Sequence, residues 1–441
     1  MKLRLLTCVP TIIGLLAFSS CKKNEEGGTT LPIANPQPNI LLIIADDMGL
    51  DATPNYSIGA EKPNMPVLEG LMKEGITFDN VWAYPECSPT RASILTGRYG
   101  YRTGVLAVQE NNQIPLSETS IQKYLEDKGA GYSSAVVGKW HLGGNANGGN
   151  NNPANMGVKY YEGLIAGGVQ DYNNWTITKN GVQTNSTEYT TTKFTDLAID
   201  WIDQQNQPWF LWLAYNAPHT PFHLPPNDLH DRDNLPIDQA SIDANPQPYF
   251  FAMLEAMDAE IGRLLSSLGE AERKNTLIVF IGDNGTTRQV IQTPYRRQKA
   301  KSTLYNGGIA VPMMVSGYGV SRKNERETTL INSTDLFATI ADLAGTGTTE
   351  IHDSKSIRPL FSQTQSSFRE YIYSEYKSGT TDYWTVRNTK YKLIEYANGD
   401  KELYDLNNDF FENTNLLTGN LNTEQTIAQQ ALEAEIARIR Q

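Results

Sequence analysis

The densest chemistry in the chain is written in the stretch Cys87-Ser88-Pro89-Thr90-Arg91-Ala92-Ser93-Ile94-Leu95-Thr96-Gly97-Arg98. Pro89 suits a first helical position and Gly97 a C-terminal cap, so a short helix is expected with its positive end at Cys87. Arg91 falls one turn further on, and helix end and guanidinium together favour an anion at residue 87. Four oxygen donors, Asp46, Asp47, Asp283 and Asn284, close two apolar runs. An all-oxygen set suits a hard cation such as Ca²⁺ or Mg²⁺, whereas zinc calls for histidine or thiolate. Either pair alone is more often a turn or a cap; two pairs alongside Cys87 point to metal. Lys139 and His141 stand two residues apart in Gly138-Lys139-Trp140-His141-Leu142-Gly143, and His219 sits in Ala217-Pro218-His219-Thr220-Pro221. His223 and His230 fit no motif and read as loop or rim residues.

These side chains need a frame that brings distant segments together. Asn39 to Ala45 is a continuous apolar run ending in Asp46-Asp47, the form of a strand buried on both faces. Ser134 to Val137, Phe210 to Tyr215, Leu277 to Ile281 and Pro312 to Val315 repeat the pattern. Between them lie helical patterns: Ser117 as a cap before Ile121, Tyr124 and Leu125; Phe194, Leu197, Ala198, Trp201 and Ile202; and Met253, Leu254, Met257, Ile261 and Leu264. The alternation predicts an α/β fold, a large mostly parallel or mixed sheet flanked by helices, with function at the carboxyl ends of its strands. Asn145 to Asn155 and Asn180 to Ser186 read as loops. After a helix from Asp335 to Leu343, the segments around Ile372, Val386 and Leu393 alternate, and a closing helix carries Ile427, Leu432, Ile436 and Ile439. This predicts a smaller C-terminal antiparallel sheet with one helix.

The 441 residues, 39% of them hydrophobic, suffice for a sizeable core. Lys2 and Arg4 before an apolar run from Leu5 to Phe18 have the layout of an export signal, too short to span a bilayer. Ser19-Ser20-Cys21 looks like a loose bacterial lipobox, which makes Cys21 a lipidated N-terminus and membrane tether. The expected organisation is a signal over 1–20, a tether over 21–37, a catalytic domain over 38–345 and an α+β subdomain over 346–441, in the periplasm or on the cell surface. Cys8 then leaves with the signal and Cys21 carries lipid, so Cys87 has no cysteine to pair with, and a lone thiol in an exported protein invites oxidation. A formal charge of −12 excludes general binding to nucleic acid. A polyanionic substrate must instead meet a local basic patch. The densest such cluster is Arg288 with Arg296-Arg297-Gln298-Lys299-Ala300-Lys301.

The stretch from Cys87 to Arg98 resembles the full signature of the type I, formylglycine-dependent sulfatases of the alkaline phosphatase superfamily. Gly138 to Gly143 resembles a second signature, and Lys301 with Leu304-Tyr305-Asn306-Gly307-Gly308-Ile309-Ala310-Val311-Pro312 resembles the segment that supplies a sulfate-binding lysine, although Asn306 stands where glutamate is commonest. Glu402-Leu403-Tyr404-Asp405-Leu406, Glu412 and Asn415-Leu416 extend the likeness, which covers about residues 38 to 420. The resemblance implies that a maturase oxidises Cys87 to formylglycine, whose hydrate is the nucleophile and whose oxygen completes a Ca²⁺ shell with Asp46, Asp47, Asp283 and Asn284. It implies that Lys139 and Lys301 hold the sulfate, that Arg91 and the metal activate the attacking hydroxyl, that His219 protonates the leaving oxygen and that His141 is the base in breakdown. The implied substrate is a sulfate ester of a carbohydrate. Two other readings stand beside it: a formylglycine-dependent phosphodiester or phosphonate hydrolase, and a non-catalytic glycan-binding surface lipoprotein. The last would be expected to lose Cys87, Lys139 or His141 first, and a two-zinc phosphatase would need several histidine ligands where the chain has 5 histidines in all.

Overall fold

The apolar run Asn39–Ala45 forms β1, the middle of a ten-stranded sheet, and every one of its residues is buried. Ile40, Leu41, Leu42, Ile43 and Ile44 are at most 1% exposed, packing alternately into hydrophobic clusters on the two faces of the sheet. At about 1.5–3 kcal/mol per buried side chain, this strand alone contributes on the order of 10 kcal/mol of burial, which fixes the point where Asp46 and Asp47 begin. The computed structural model describes residues 37–108, 112–232, 234–365 and 368–441. The expected export signal, Cys21 and the tether up to residue 36 lie outside the described residues.

The other strands of this sheet are β2 (Gly75–Trp82), β3 (Ser133–Lys139), β4 (Tyr160–Leu164), β5 (Trp175–Lys179), β6 (Val182–Ser186), β7 (Trp209–Ala214), β8 (Thr276–Gly282), β9 (Met313–Gly317) and β10 (Glu325–Asn332), in the order β10-β2-β9-β8-β1-β7-β3-β4-β5-β6. From β8 to β4 the five central strands are parallel. Beside them β9 runs antiparallel to both β8 and β2, so β2 points the same way as the central strands. The carboxyl ends of β1, β2, β3, β7 and β8 therefore meet at one edge, as the alternation of strands and helices predicts. After a two-residue pair, β11 (Glu350–Ile351) and β12 (Ser354–Lys355), come β13 (Ile372–Ser378), β14 (Thr381–Arg387), β15 (Tyr391–Tyr396) and β16 (Lys401–Asp405), a four-stranded antiparallel sheet covered by the helix Thr423–Ile439.

Several local expectations need correction. Ser120, not Ser117, caps the helix Ile121–Asp127, its side chain accepting the Lys123 N–H, because Ser120 is the residue immediately before the first helical turn. Asn180 to Ser186 is not a loop: Trp175–Lys179 and Val182–Ser186 form a hairpin whose outer strand exposes Val182, Gln183, Thr184 and Asn185. An edge strand buries so little that its residues look like loop residues. Asn145 to Asn155 folds into short 3₁₀ turns and a one-turn helix, Asn152–Asn155. The Cys87–Thr96 helix starts at Cys87 itself, so Pro89 is its third residue, and Gly97 ends it with φ 66°. Proline is tolerated there because the first four N–H groups of a helix have no intrahelical acceptor.

Candidate active site

Register decides where the carboxylates meet. Ala45 of β1 lies opposite Gly282 of β8, and the Asp283 N–H donates to the Ala45 carbonyl at 3.0 Å, so Asp46-Asp47 and Asp283-Asn284 leave neighbouring strands side by side. An oxygen from each of Asp46, Asp47 and Asp283 and Sγ of Cys87 all lie within 4.8 Å of one another, and all four residues are buried. Asn284 Nδ2 donates to Asp47 Oδ1 at 2.8 Å, while Asn284 Oδ1 is buried with no hydrogen-bond partner. An acceptor without a donor beside three carboxylates is what a cation satisfies, and the oxygen-rich set fits a hard divalent ion. Asp46, Asp47, Asp283 and Asn284, with residue 87, are the residues that could hold it.

Three cationic side chains balance the three carboxylates. Arg91, fully buried, donates from Nη2 and Nε to Asp283 Oδ2 at 2.8 and 3.2 Å and from Nη1 to the Lys139 carbonyl at 2.8 Å. Lys139 Nζ pairs with Asp46 Oδ2, and Lys301 Nζ pairs with Asp47 Oδ1 and lies 3.8 Å from Cys87 Sγ. Burial alone would raise Asp46, but Lys139, then His219, Arg91 and Lys301, outweigh it and hold its carboxyl well below the usual range. Asp283 moves the other way, raised by burial and by the charge of Asp46. The expectation that residue 87 favours an anion fails for the cysteine: burial first, then Asp283 and Asp46, push the thiol well up, and Sγ lies 3.1 Å from Asp46 Oδ1 as a donor. The helix end is outweighed by burial and by these two carboxylates together.

His141 follows β3 in the left-handed region, φ 60°, with Nδ1 buried and unpartnered. A Cβ added at Gly167 would lie 2.3 Å from His141 Nε2, so only a residue without a side chain fits over this ring. His219 Nδ1 lies 2.8 Å from the Thr220 carbonyl, which makes Nδ1 the donor and leaves Nε2 for chemistry. Burial lowers both imidazoles, with Lys139 and Arg91 adding to the effect at His141, while Asp46 works against it at His219. Tyr172 Oη donates to the His219 carbonyl at 2.6 Å and packs against His223 with ring centroids 4.2 Å apart and planes tilted by 35°. His223 and His230 are structural: His223 is tied to the Pro221 carbonyl and the Tyr189 hydroxyl, and His230 to the Pro225 carbonyl.

The basic run does not form one patch. Lys299 turns inward to the Glu412 carbonyl, with Nζ 4.2 Å from the centroid of Tyr305, and Lys301 enters the cluster, leaving Arg288, Arg296 and Arg297 exposed. Arg297 lines a groove of about 610 Å³ shared with Thr220, Pro221 and Phe222, directly after His219. Asn306, in place of glutamate, has its backbone N–H on Glu412 Oε2 at 2.7 Å, and Glu412 also accepts from Lys392 Nζ at 2.5 Å. The carboxylate thus comes from the C-terminal part of the chain. Sequence reasoning missed Tyr172, Gly167 and Glu86. Glu86 accepts from Ser302 Oγ at 2.9 Å, from the Tyr376 hydroxyl at 2.8 Å and from the Val108 N–H at 2.9 Å, bracing the residues beside Cys87 and Lys301. These partners are remote in sequence, and only the adjacency of Glu86 to Cys87 could have singled any of them out.

The sulfatase family profile matches residues 38–346, and the profile for N-sulphoglucosamine sulphohydrolase, C-terminal, matches residues 298–441. Arylsulfatase G of Rattus norvegicus is 28% identical over 433 residues, covering 83% of this chain and 77% of that protein. A sulfatase of Formosa agariphila is 26% identical over 511 residues, covering 92% and 87%. Among solved structures, Ps i-CgsB in complex with k-i-k-neocarrahexaose superposes with a TM-score of 0.74 at 24% identity, covering 90% and 92% of the two chains. BT4656 in complex with its substrate D-glucosamine-2-N,6-O-disulfate does so with a TM-score of 0.75 at 20% identity, covering 92% and 98%.

Proposed function

The chain belongs to the sulfatase family and is a sulfatase enzyme, and on that premise we propose that it removes sulfate from a sulfated carbohydrate, with residue 87 as formylglycine and one Ca²⁺ held by Asp46, Asp47, Asp283 and Asn284. The observation that carries this reading is the charge balance of the site. Three carboxylates face Arg91, Lys139 and Lys301, so their formal charges cancel, and the unpartnered Asn284 Oδ1 completes an oxygen set for a divalent ion. Adding that ion leaves two positive charges, which offset the single charge of a sulfate ester and the second negative charge that develops as the attacking hydroxyl loses its proton. The carbohydrate assignment is supported by the relative whose substrate is a glucosamine disulfate.

A bound divalent cation supplies Lewis-acid stabilisation of sulfuryl oxygens, and formylglycine supplies a hydrated aldehyde as nucleophile. The protein's own side chains then divide the remaining work. Lys139 and Lys301 release their carboxylates to hold sulfuryl oxygens, which fixes the ester for attack. In its imidazolium form, which the charge of Asp46 favours, His219 keeps its Nδ1–H on the Thr220 carbonyl and delivers the proton on Nε2 to the departing alcohol. With formylglycine at residue 87, His141 would serve as the base that takes up a proton from it. The reading includes export with Cys21 as lipid anchor, which detergent-phase partitioning of the native protein against Cys21→Ser tests.

Peptide mass spectrometry of residue 87 in protein from a host with a maturase should show formylglycine, and Cys87→Ala should abolish release of sulfate without loss of fold. Metal analysis should find one Ca²⁺ per chain, lost in Asp283→Ala. Full activity with unmodified cysteine, or after exhaustive chelation, would overturn the assignment; turnover of aryl phosphodiesters but of no sulfate ester would replace it.

A further inference from the structure

Beside the catalytic centre lies a cavity of about 330 Å³ that none of the residues assigned above lines. One wall follows Lys301 in the chain and consists of Thr303, Leu304 and Tyr305. The other belongs to the four-stranded sheet, where Tyr383 on β14 stacks on Tyr396 on β15 with centroids 5.5 Å apart and planes at 25°. Two lines of contact join this wall to the nucleophile. Lys301 reaches Asp47 and Cys87, and Tyr376, edge-on to Tyr383 at 5.2 Å, donates its hydroxyl to Glu86, the residue before Cys87.

The aromatic wall is rigid. Tyr305 and Tyr396 donate their hydroxyls to Glu402 at 2.8 and 3.3 Å, and Tyr404 adds a third at 2.7 Å, so the phenol groups of Tyr305 and Tyr396 are committed to Glu402 and their orientations are set. Held rings offer contact area at little entropic cost. At the rim the exposed Ser378 and Thr381, flanking the turn between β13 and β14, contribute hydroxyls. An apolar face edged by hydroxyls matches the chemistry of a sugar ring, which has a face of C–H bonds and a perimeter of hydroxyl groups.

We propose that this tyrosine-walled cavity is a saccharide subsite that holds a sugar ring next to the one losing sulfate. The inference rests on the carbohydrate reading above and makes the C-terminal sheet the part of the chain that selects longer substrates. An aryl ring would also stack here, and the assay separates the two.

Steady-state kinetics of the matured enzyme with 4-nitrophenyl sulfate, sulfated monosaccharides and sulfated tetrasaccharides from carrageenan and heparan sulfate test it. Two variants are compared: Tyr383→Ala, which removes the stacked ring, and Ser378→Trp, which fills the cavity from an exposed turn. For each tetrasaccharide that the native enzyme hydrolyses, both variants should raise KM by about tenfold, the equivalent of about 1.4 kcal/mol, with kcat within about twofold and the monosaccharide and aryl sulfate unchanged. Unchanged tetrasaccharide kinetics in both variants, or an equal loss on the aryl sulfate, would overturn the subsite and leave the carbohydrate reading intact. If the native enzyme hydrolyses the aryl sulfate but no saccharide, the carbohydrate reading falls and the subsite with it.

Discussion

Glu86 is the residue whose removal tests most directly how the site is held together. Its carboxylate, 6% exposed, accepts three hydrogen bonds: from Ser302 Oγ, from the Tyr376 hydroxyl and from the Val108 N–H. Ser302 also donates its backbone N–H to the Pro85 carbonyl at 2.8 Å and sits in the left-handed region, φ 66°. Residues 85 and 86, just before Cys87, therefore hold the residue just after Lys301. Glu86→Ala strips an ionised acceptor from three donors at once; at about 1–3 kcal/mol per buried group left unpaired, and with partial relaxation, a loss of about 3–6 kcal/mol of stability is expected. Lys301 would then lose its fixed distance to residue 87, and a displacement of about 1 Å is enough to cost roughly 10²-fold in turnover. Ser302→Ala removes one of the three bonds and should lose about 1 kcal/mol. The assay pairs denaturant unfolding with kcat on an aryl sulfate, normalised to the fraction of residue 87 converted, measured by mass spectrometry. If Glu86→Ala unfolds within about 1 kcal/mol of the native protein and turns over within about twofold per converted site, the clamp has no role and the reasoning fails.

The Lys392–Glu412 pair, with both side chains at most 1% exposed, should behave as a buried ion pair. Glu412→Gln leaves the ammonium with the Leu304 carbonyl and Asn306 Oδ1 and should cost about 3–5 kcal/mol, whereas Lys392→Met with Glu412→Leu should recover most of it; equal losses in the two proteins would refute this. Burial lowers His223 to about 4 from its ordinary value, so the unfolded chain takes up a proton near pH 6.5 and the folded one only near pH 4. Its contribution is complete above pH 6.5 and is lost as the pH falls through that window, by up to about 3 kcal/mol. The stability difference between native protein and His223→Gln should shrink from pH 7 to pH 4, and a difference independent of pH would contradict it.

Much of the frame was legible because burial on both faces leaves an unmistakable apolar run. Asn39–Ala45, Trp209–Ala214 and Thr276–Gly282 announce themselves as central strands, and the polar residues that end them mark the functional edge. Val182–Ser186 carries no such mark because an edge strand buries little. By itself the sequence determined which groups are available: a cysteine at the start of a short helix, two acidic strand exits, two lysines and two histidines in recognisable settings. Only the tertiary structure decided how their charges act on one another. Residue 87 sits at a helix end that favours an anion, yet burial, followed by the charges of Asp283 and Asp46 that strand register sets beside it, pushes the thiol well up. Likewise the run from Arg296 to Lys301 reads as one basic cluster, but the fold turns Lys299 onto the Tyr305 ring and the Glu412 carbonyl, and Lys301 onto Asp47, which leads the groups that outweigh the cost of burying that ammonium.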